Sequence, residues 1–111
     1  MTGDEIKMIG GYRFSSTLKT LSIDTTVVNL SNREAQILEF LATHLNGIAL
    51  RKEMITSVWG SYDAKKGRSL DVFISQLRKK LSLDKSIVIE NVFSKGYTLA
   101  IKKPKTFKLF R

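Results

Sequence analysis

Polar and cationic side chains collect on one side of the segment from Arg68 to Leu81. If this segment is helical, at 100° per residue one sector carries hydrogen-bonding groups, cations and one apolar side chain. The members of that sector are Arg68, Val72, Ser75, Gln76 and Lys79, flanked by Asp71 and Arg78. Such groups can bond base edges and phosphates from within the major groove of a duplex. An ordinary solvated helix face has a similar composition, so this segment alone leaves both interpretations open.

The opposite side of the same segment is apolar and predicts a helix packed against a core. Its members recur at the i, i+3, i+4 and i+7 spacing of a buried stripe. They are Leu70, Phe73, Ile74, Leu77 and Leu81. The polar stretch 61–67 is expected to be a loop, and Gly67 is an acceptable N-cap for a helix over residues 68–81.

Residues suited to enzymatic or metal chemistry are scarce. The chain has one histidine, His44, and no cysteine, no glycine-rich phosphate loop and no carboxylate pair that suits acid–base work. We therefore expect no catalytic site, no metal and no cofactor, and the chain is not predicted to be an enzyme. Because cysteine is absent and no apolar run approaches the ~20 residues of a membrane span, a cytoplasmic protein is expected.

The net charge of +9 is unevenly distributed along the chain. Through Asp63 the chain holds 6 Lys and Arg residues against 7 Asp and Glu residues, whereas from Ala64 onward it holds 13 against 3. The basic half suits a polyanion, because a protein that neutralises phosphates releases their counterions. An anionic membrane surface and a structured RNA are the alternatives. The apolar side of the 68–81 helix suits a core rather than a bilayer, which argues against a membrane surface. RNA-binding domains often carry aromatic side chains on a sheet for base stacking, and this sequence does not show that pattern.

The other segments predict an α+β fold in a single domain over residues 1–111. Alternating and β-branched runs in 5–30 predict a small N-terminal antiparallel sheet of three or four strands that serves as a scaffold. A three-helix core is expected in 31–81. A hairpin follows in 87–101 and a basic tail in 102–111.

The first helix is expected to begin at a capping box formed by Ser31 and Glu34. Its apolar face consists of Ile37, Leu38, Leu41 and Leu45. Asn46-Gly47 suits a left-handed turn after the helix. A second helix is expected over 51–59, with an apolar face of Met54, Ile55, Val58 and Trp59. Its tight connection to the 68–81 helix outlines a helix-turn-helix unit.

Two strands, over 87–92 and 97–101, predict a β-hairpin directly after this unit. A hairpin in that position is called a wing, and a basic tip can enter the minor groove of a duplex. Lys95 is the cation at this tip, unless it only solubilises an exposed turn. The tail mixes five cations with two phenylalanines, and the sequence does not decide whether it docks on the domain or contacts phosphates.

Several of these motifs, in this order and spacing, resemble the OmpR/PhoB-type winged-helix effector domain of bacterial two-component response regulators. The motifs are Leu30-Ser-x-x-Glu34, Glu53-Met-Ile-x-x-Val-Trp-Gly60, the run from Arg68 to Leu81, Ile89-x-x-Val92 and Lys95-Gly-Tyr-x-Leu99. The resemblance implies a winged helix-turn-helix fold with a four-stranded N-terminal sheet, three helices and a C-terminal hairpin wing. It also implies transcription regulation by dimers that bind double-stranded DNA at direct repeats near promoters.

Ten residues on the polar helix face, at the hairpin tip or at positions that match the family are expected to bind DNA. They are Arg68, Ser69, Asp71, Val72, Ser75, Gln76, Arg78, Lys79, Lys95 and Tyr97. Asp71 is implied to orient a neighbouring cation, Val72 to meet a thymine methyl, and Tyr97 to pack the hairpin base with its hydroxyl toward a phosphate. The loop where relatives contact RNA polymerase corresponds to Ser61, Tyr62, Asp63, Lys65 and Lys66.

The chain departs from the family pattern at three places. Relatives often have arginine where this chain has Ser75 and Gln76, so Gln76 becomes the expected direct reader, with adenine as its natural bidentate partner. Phe93 replaces a frequent arginine of the wing and Ser94 a frequent glycine, so either Lys95 takes over the minor-groove contact or the wing inserts differently. Leu50 stands where Ser or Asp usually caps the second helix, which should weaken its start by roughly 1 kcal/mol.

Effector domains of this kind normally follow a phospho-accepting receiver domain, and no room exists for one before Ile6. Either the chain is an excised effector domain or the natural protein regulates without a receiver. Excision is preferred. Control by phosphorylation would then belong to the absent receiver, and dimers should form only weakly without DNA.

Overall fold

The structure, a computed structural model, describes residues 6–102. The predicted first residue of the sheet, residue 5, and the predicted tail from residue 103 onward lie outside this part of the chain.

A four-stranded antiparallel sheet opens the fold, as the alternating runs predicted. Its strands are β1 (Ile6–Ile9), β2 (Tyr12–Ser15), β3 (Thr20–Ile23) and β4 (Thr26–Asn29), paired in chain order. The register places Phe14 opposite Leu21 on the face that packs on the core. Because side chains alternate between the faces of a strand, this register buries the apolar side chains together.

Helix α1 spans Asn32–Thr43 and begins at the predicted capping box. The Ser31 hydroxyl accepts a hydrogen bond from the Glu34 backbone N–H at 3.2 Å, and the Glu34 carboxylate accepts one from the Ser31 N–H at 2.7 Å. The prediction that Leu45 continues the buried face is wrong, since its side chain is 41% exposed. The helix ends at Thr43 and the chain turns at Asn46, whose φ is 64°, so the helical stripe stops before Leu45.

Helix α2 spans Arg51–Trp59, as the sequence predicted. Leu50 occupies its N-cap without any side-chain hydrogen bond, and Gly60 ends it with a φ of 89°. Its buried residues are Met54, Ile55 and Val58. Trp59 is half-buried and packs against the core, with its ring 6.2 Å from that of Phe73.

Helix α3 spans Ala64–Lys80, and this corrects the predicted start. Asp63, not Gly67, is the N-cap, because its carboxylate accepts a hydrogen bond from the Lys66 N–H at 2.9 Å. Aspartate caps a helix better than glycine, so the helix gains one more turn. Gly67 is buried inside it. The predicted loop 61–67 is therefore reduced to residues 61–63.

The C-terminal hairpin was also predicted correctly. Strand β6 (Ile87–Val92) pairs with strand β7 (Gly96–Ile101) along its whole length. The sequence did not predict the short strand β5 (Ala49–Leu50), which pairs with β7 and makes a three-stranded sheet of order β5-β7-β6. Gly96 permits this pairing, because a Cβ there would overlap the Ala49 carbonyl.

One apolar core joins both sheets and all three helices. Its largest fully buried side chains include Tyr12, Phe14, Ile37, Leu41, Met54, Ile55, Leu70, Ile74 and Leu77. Each such side chain contributes about 1.5–3 kcal/mol when it leaves water. The core therefore fixes the position of α3 between α1, α2 and the hairpin.

Candidate nucleic-acid interface

The outward face of α3 carries most of the residues predicted to bind DNA. Exposed on it are Arg68, Ser75, Gln76 and Lys79. Val72 lies among them with 56% of its surface exposed although it is apolar, and Ser69 is half-buried. The opposite face of α3 is buried. Packing thus holds the helix rigidly while its polar face stays open to a partner.

Asp71 lies at the edge of this face, and its carboxylate is bonded within the domain. Arg51, the first residue of α2, donates from Nη1 to Oδ1 at 2.8 Å and from Nη2 to Oδ2 at 2.9 Å. The Tyr97 hydroxyl on β7 donates to Oδ1 at 2.6 Å. Arg51 Nη2 also donates to the Gly67 carbonyl at 2.8 Å. This Arg51–Asp71–Tyr97 network joins α2, α3 and the hairpin through one carboxylate.

The network determines the protonation of its members. The hydrogen bonds from Arg51 lower the pKa of Asp71 despite its partial burial, and the bond from Tyr97 lowers it further. The same bonds to Asp71 raise the pKa of Arg51. Burial, followed by the bond to Asp71, raises the pKa of Tyr97. At neutral pH the ion pair is therefore fully charged and the phenol keeps its proton.

Arg78 ties α3 to the hairpin at a second point. Its Nε and Nη2 donate to the Ile89 carbonyl at 3.0 and 2.7 Å. Its guanidinium lies 5.9 Å from the centre of the Tyr97 ring, which is buried. Arg78 and Tyr97 thus make contacts inside the domain, while their contacts with DNA stay predictions.

The tip of the hairpin projects an aromatic ring beside a cation. Phe93 is 89% exposed, and Ser94 and Lys95 are exposed as well. The Lys95 N–H donates to the Val92 carbonyl at 2.9 Å and closes the turn. The Arg51 N–H donates to the Lys95 carbonyl at 2.9 Å, so the tip is also tied to the start of α2.

The connection between α2 and α3 is short and internally bonded. Lys66, in the first turn of α3, donates from Nζ to the Ser61 hydroxyl at 2.7 Å and lies 3.4 Å from an Asp63 carboxylate oxygen. Tyr62 is exposed, with the Lys52 ammonium 5.4 Å from its ring centre. Lys65 is exposed in the same first turn. Two of the predicted polymerase-contact residues, Lys65 and Lys66, therefore belong to α3 rather than to a loop.

Sequence analysis did not identify Arg51 as a member of the site. It lies 20 residues before Asp71, a separation without helical or strand periodicity. The implied role of Asp71 in orienting a cation was the available signal, and it did not say which cation. Only the packing of α2 against α3 shows the pair.

Residues 6–102 contain no cluster of three or more His, Cys, Asp or Glu side chains that could hold a metal ion. Over the same residues, none of the helices has the length and apolar character needed to cross a membrane.

Comparisons with known proteins agree with this geometry. The family described as "Transcriptional regulatory protein, C terminal" matches residues 25–99. The transcriptional regulatory protein RprY of Bacteroides fragilis is 34% identical over 98 residues, which are 88% of this chain and 42% of RprY. The heme response regulator HssR of Staphylococcus epidermidis is 30% identical over 98 residues, which are 87% of this chain and 44% of HssR. The chain thus spans less than half the length of these relatives.

Solved structures show the same fold. The Klebsiella pneumoniae RstA DNA-binding domain, solved in complex with the RstA box, is 31% identical with a TM-score of 0.73, over 86% of this chain and 97% of that one. The DNA-binding domain of CpxR from E. coli superposes with a TM-score of 0.78 at 22% identity, over 89% and 99% of the two chains. The matching family is one of transcriptional regulatory proteins and not of enzymes. The chain is therefore a member of the family of C-terminal domains of transcriptional regulatory proteins, in its OmpR/PhoB-type winged-helix form.

Proposed function

We propose that this domain binds duplex DNA sequence-specifically by placing α3 in the major groove. The observation that carries the proposal is the open polar face of α3 on a helix whose other face is buried in the core. The solved complex of the similar RstA domain with the RstA box supports it. The basic charge from Ala64 onward supplies attraction to phosphates that does not depend on sequence.

Two exposed side chains on α3 are suited to reading bases. The Gln76 amide can donate to and accept from adenine at once, and the Val72 methyl groups can pack against the methyl group of thymine. Both side chains are exposed on the outward face of α3. Arg68, Ser69, Ser75 and Lys79 surround them and are proposed to hold phosphates or neighbouring bases.

Asp71, Arg78 and Tyr97 have a second role in this proposal, besides the DNA contacts predicted for them. Their polar groups are bonded within the domain, so they set the angle between α3 and the wing. The wing, residues 92–97, then reaches the adjacent minor groove, where Lys95 meets the negative potential. Protein partners such as RNA polymerase are proposed for the α2–α3 connection, where Tyr62 and Lys65 are exposed.

We also propose how the domain works in the cell. Two copies bind neighbouring direct repeats of a promoter, because one domain presents a single recognition helix and a small interface. Phosphorylation would control this pairing through a receiver domain outside the chain described here. A protein that acts on chromosomal DNA of a bacterium works in the cytoplasm.

Selection of bound duplexes from a random DNA pool tests the proposal. At near-physiological salt, where bulk charge attraction is weak, we expect one enriched motif that recurs at about 10–10.5 base pairs. The matched control replaces Val72, Ser75 and Gln76 with alanine, which keeps the net charge. This variant should retain non-specific binding and lose the motif. Equal enrichment by both proteins, or no enrichment by either, would show that α3 does not read sequence.

A further inference from the structure

We infer that Phe93 is an apolar wedge, which enters the minor groove and partly unstacks one base step so that the bound duplex bends. The inference rests on the proposed function and deepens it, because it assigns the chemistry by which the wing reads DNA.

Phe93 is the most exposed large apolar side chain in residues 6–102, with 89% of its surface open to water. A ring in this position gains almost none of the burial that makes phenylalanine stabilising in a core. Single exposed apolar side chains are common on protein surfaces. Phe93 differs from the other exposed apolar side chains because the hydrogen-bonded turn of the hairpin holds it outward.

The backbone beneath the ring is held from both sides. The Lys95 N–H bonds the Val92 carbonyl and the Lys95 carbonyl accepts from the Arg51 N–H, both at 2.9 Å. Ser94, between them, has a φ of 50°, a conformation that non-glycine residues rarely adopt. Gly96 lies against Ala49 with no space for a Cβ. The tip is therefore a built turn that holds Phe93 outward.

The tip also has a defined position relative to α3. Tyr97 follows the tip by two residues and bonds Asp71 on α3 at 2.6 Å. Arg51 joins the same network through its side chain and holds the tip through its backbone N–H. When α3 lies in the major groove, these bonds direct Phe93 toward the neighbouring minor groove.

The chemistry of the side chain then limits what it can do there. A phenyl ring has no group that can form hydrogen bonds with phosphates or base edges. In the minor groove it can therefore only pack against sugars or insert between bases. Proteins that insert apolar wedges in the minor groove recover the cost of unstacking through the extra surface that bent DNA brings into contact. Lys95 beside the ring provides the attraction to the groove. Pyrimidine–purine steps unstack most easily, so we expect a TA or CA step under the wing.

The test uses the duplex obtained by selection, with 2-aminopurine placed at successive positions under the wing. Wild-type protein should raise the fluorescence at one step, and Phe93→Ala should not. Phe93→Ala should also weaken binding by about 5- to 150-fold, the fold-change expected for the loss of one base–aromatic stack. Phe93→Leu should keep part of the affinity because it keeps an apolar wedge. Leu18→Ala removes another exposed apolar side chain, in the turn between β2 and β3, and should change neither the fluorescence nor the affinity.

Salt dependence separates the wedge from bulk electrostatics. Because phenylalanine is uncharged, Phe93→Ala should leave the slope of log K against log salt unchanged, whereas Lys95→Ala should reduce it by about one. The melting temperature of Phe93→Ala should equal that of the wild type, since the ring contributes little to packing.

Several outcomes would overturn the inference. Equal affinities of wild type and Phe93→Ala, or no fluorescence change with wild type, would exclude a wedge while leaving sequence-specific binding intact. A loss confined to duplexes with two repeats would show that Phe93 contacts the neighbouring copy instead of DNA. A wild-type domain that selects no duplex would overturn the proposed function and this inference with it.

Discussion

Two ion-pair networks hold α3, and they differ in their access to water. At its C-terminal end, Lys80 donates from Nζ to the Glu34 carboxylate at 2.7 Å and to the Asn29 carbonyl at 3.0 Å, and Glu34 is 2% exposed. Midway along α3, Asp71 is bonded by Arg51 and Tyr97, and 48% of its side chain is exposed.

This difference in burial separates stability from function. A buried carboxylate that loses its partners is left without solvation, so the Glu34–Lys80 pair is expected to matter for folding. A half-exposed pair contributes little to stability because water screens it, so the role we propose for the Asp71 network is to set the angle between α3 and the wing. The expected loss in the free energy of unfolding therefore decreases from Glu34 to Asp71 to the outward face of α3.

Glu34→Ala should have the largest effect on stability. It removes the ion pair with Lys80 and half of the capping box at Ser31, and we expect the free energy of unfolding to fall by about 2–3 kcal/mol. Urea denaturation followed by circular dichroism measures this loss. Glu34→Gln is the matched control, because it keeps both acceptor bonds and removes only the charge, and it should fall between wild type and alanine. An unchanged midpoint in both variants would refute the assignment.

Asp71→Asn should cost about 1 kcal/mol of stability or less, yet should change DNA binding more than Glu34→Gln does. Arg51 and Tyr97 then share only a neutral acceptor, so the wing is held less firmly against α3, although Arg78 still bonds the hairpin. We expect the ratio of specific to non-specific affinity to fall by about tenfold, the effect of roughly 1.4 kcal/mol. Non-specific affinity should rise, since one repulsive charge near the phosphates is gone. A specificity ratio equal to that of the wild type would make the network dispensable for recognition.

The same comparison extends to acidic pH. The pKa of Asp71 is lowered by Arg51, and that of Glu34 is lowered because its bonds to Lys80 and Ser31 outweigh the effect of burial. Both groups therefore stabilise the fold fully at neutral pH, and their contributions disappear as the pH falls below their ordinary values of 3.8 and 4.5. The stability difference between wild type and Glu34→Gln should shrink over this range. A difference that is constant between pH 7 and pH 3 would contradict the assignment.

Gln76→Ala should leave stability within about 0.5 kcal/mol, because the side chain is exposed. Its effect should appear in recognition as a loss of about 1–3 kcal/mol at one base position. Repeating the selection with the variant measures this change, with Gln36→Ala as a control for the same substitution at an exposed position of α1. An unchanged base preference would remove Gln76 as a reader.

Lys79→Ala should have the smallest effect of all on folding and no effect on base preference. Removal of one phosphate contact should weaken binding to all duplexes similarly and reduce the salt slope by about one unit. Titrations at several salt concentrations measure this slope, and Lys85→Ala is a charge-matched control outside α3. If both variants change the slope equally, Lys79 acts only through net charge.

Much of the fold followed from local patterns. The alternating runs of the N-terminal sheet, the Ser31–Glu34 capping box and the glycine after α2 each act within a few residues, so they could be read directly from the chain. The start of α3 was predicted too late because the polar composition of 61–67 suggested a loop, whereas Asp63 is a better cap than Gly67 and starts the helix earlier. Strand β5 was missed because two residues, Ala49 and Leu50, are too short to show a periodicity.

Less of the candidate site than of the fold could be predicted from the sequence. The exposed face of α3 follows from helical periodicity, so its residues could be named from their spacing. The partners of Asp71 could not, because Arg51 and Tyr97 lie 20 and 26 residues away along the chain. The hydrogen bond from Arg78 to the Ile89 carbonyl could not be predicted either, because every residue has a backbone carbonyl and the residue type does not show which one accepts.

By itself, the sequence determined most of the helices and strands, which face of α3 is polar, and where the positive charge lies. Those properties depend on side-chain periodicity and composition. Only the tertiary structure decided that Lys80 closes over Glu34, that one carboxylate links α2, α3 and the wing, and that the tip holds Phe93 outward. These features arise from packing between segments distant in the chain, where burial and geometry select one partner among many of the same chemical type.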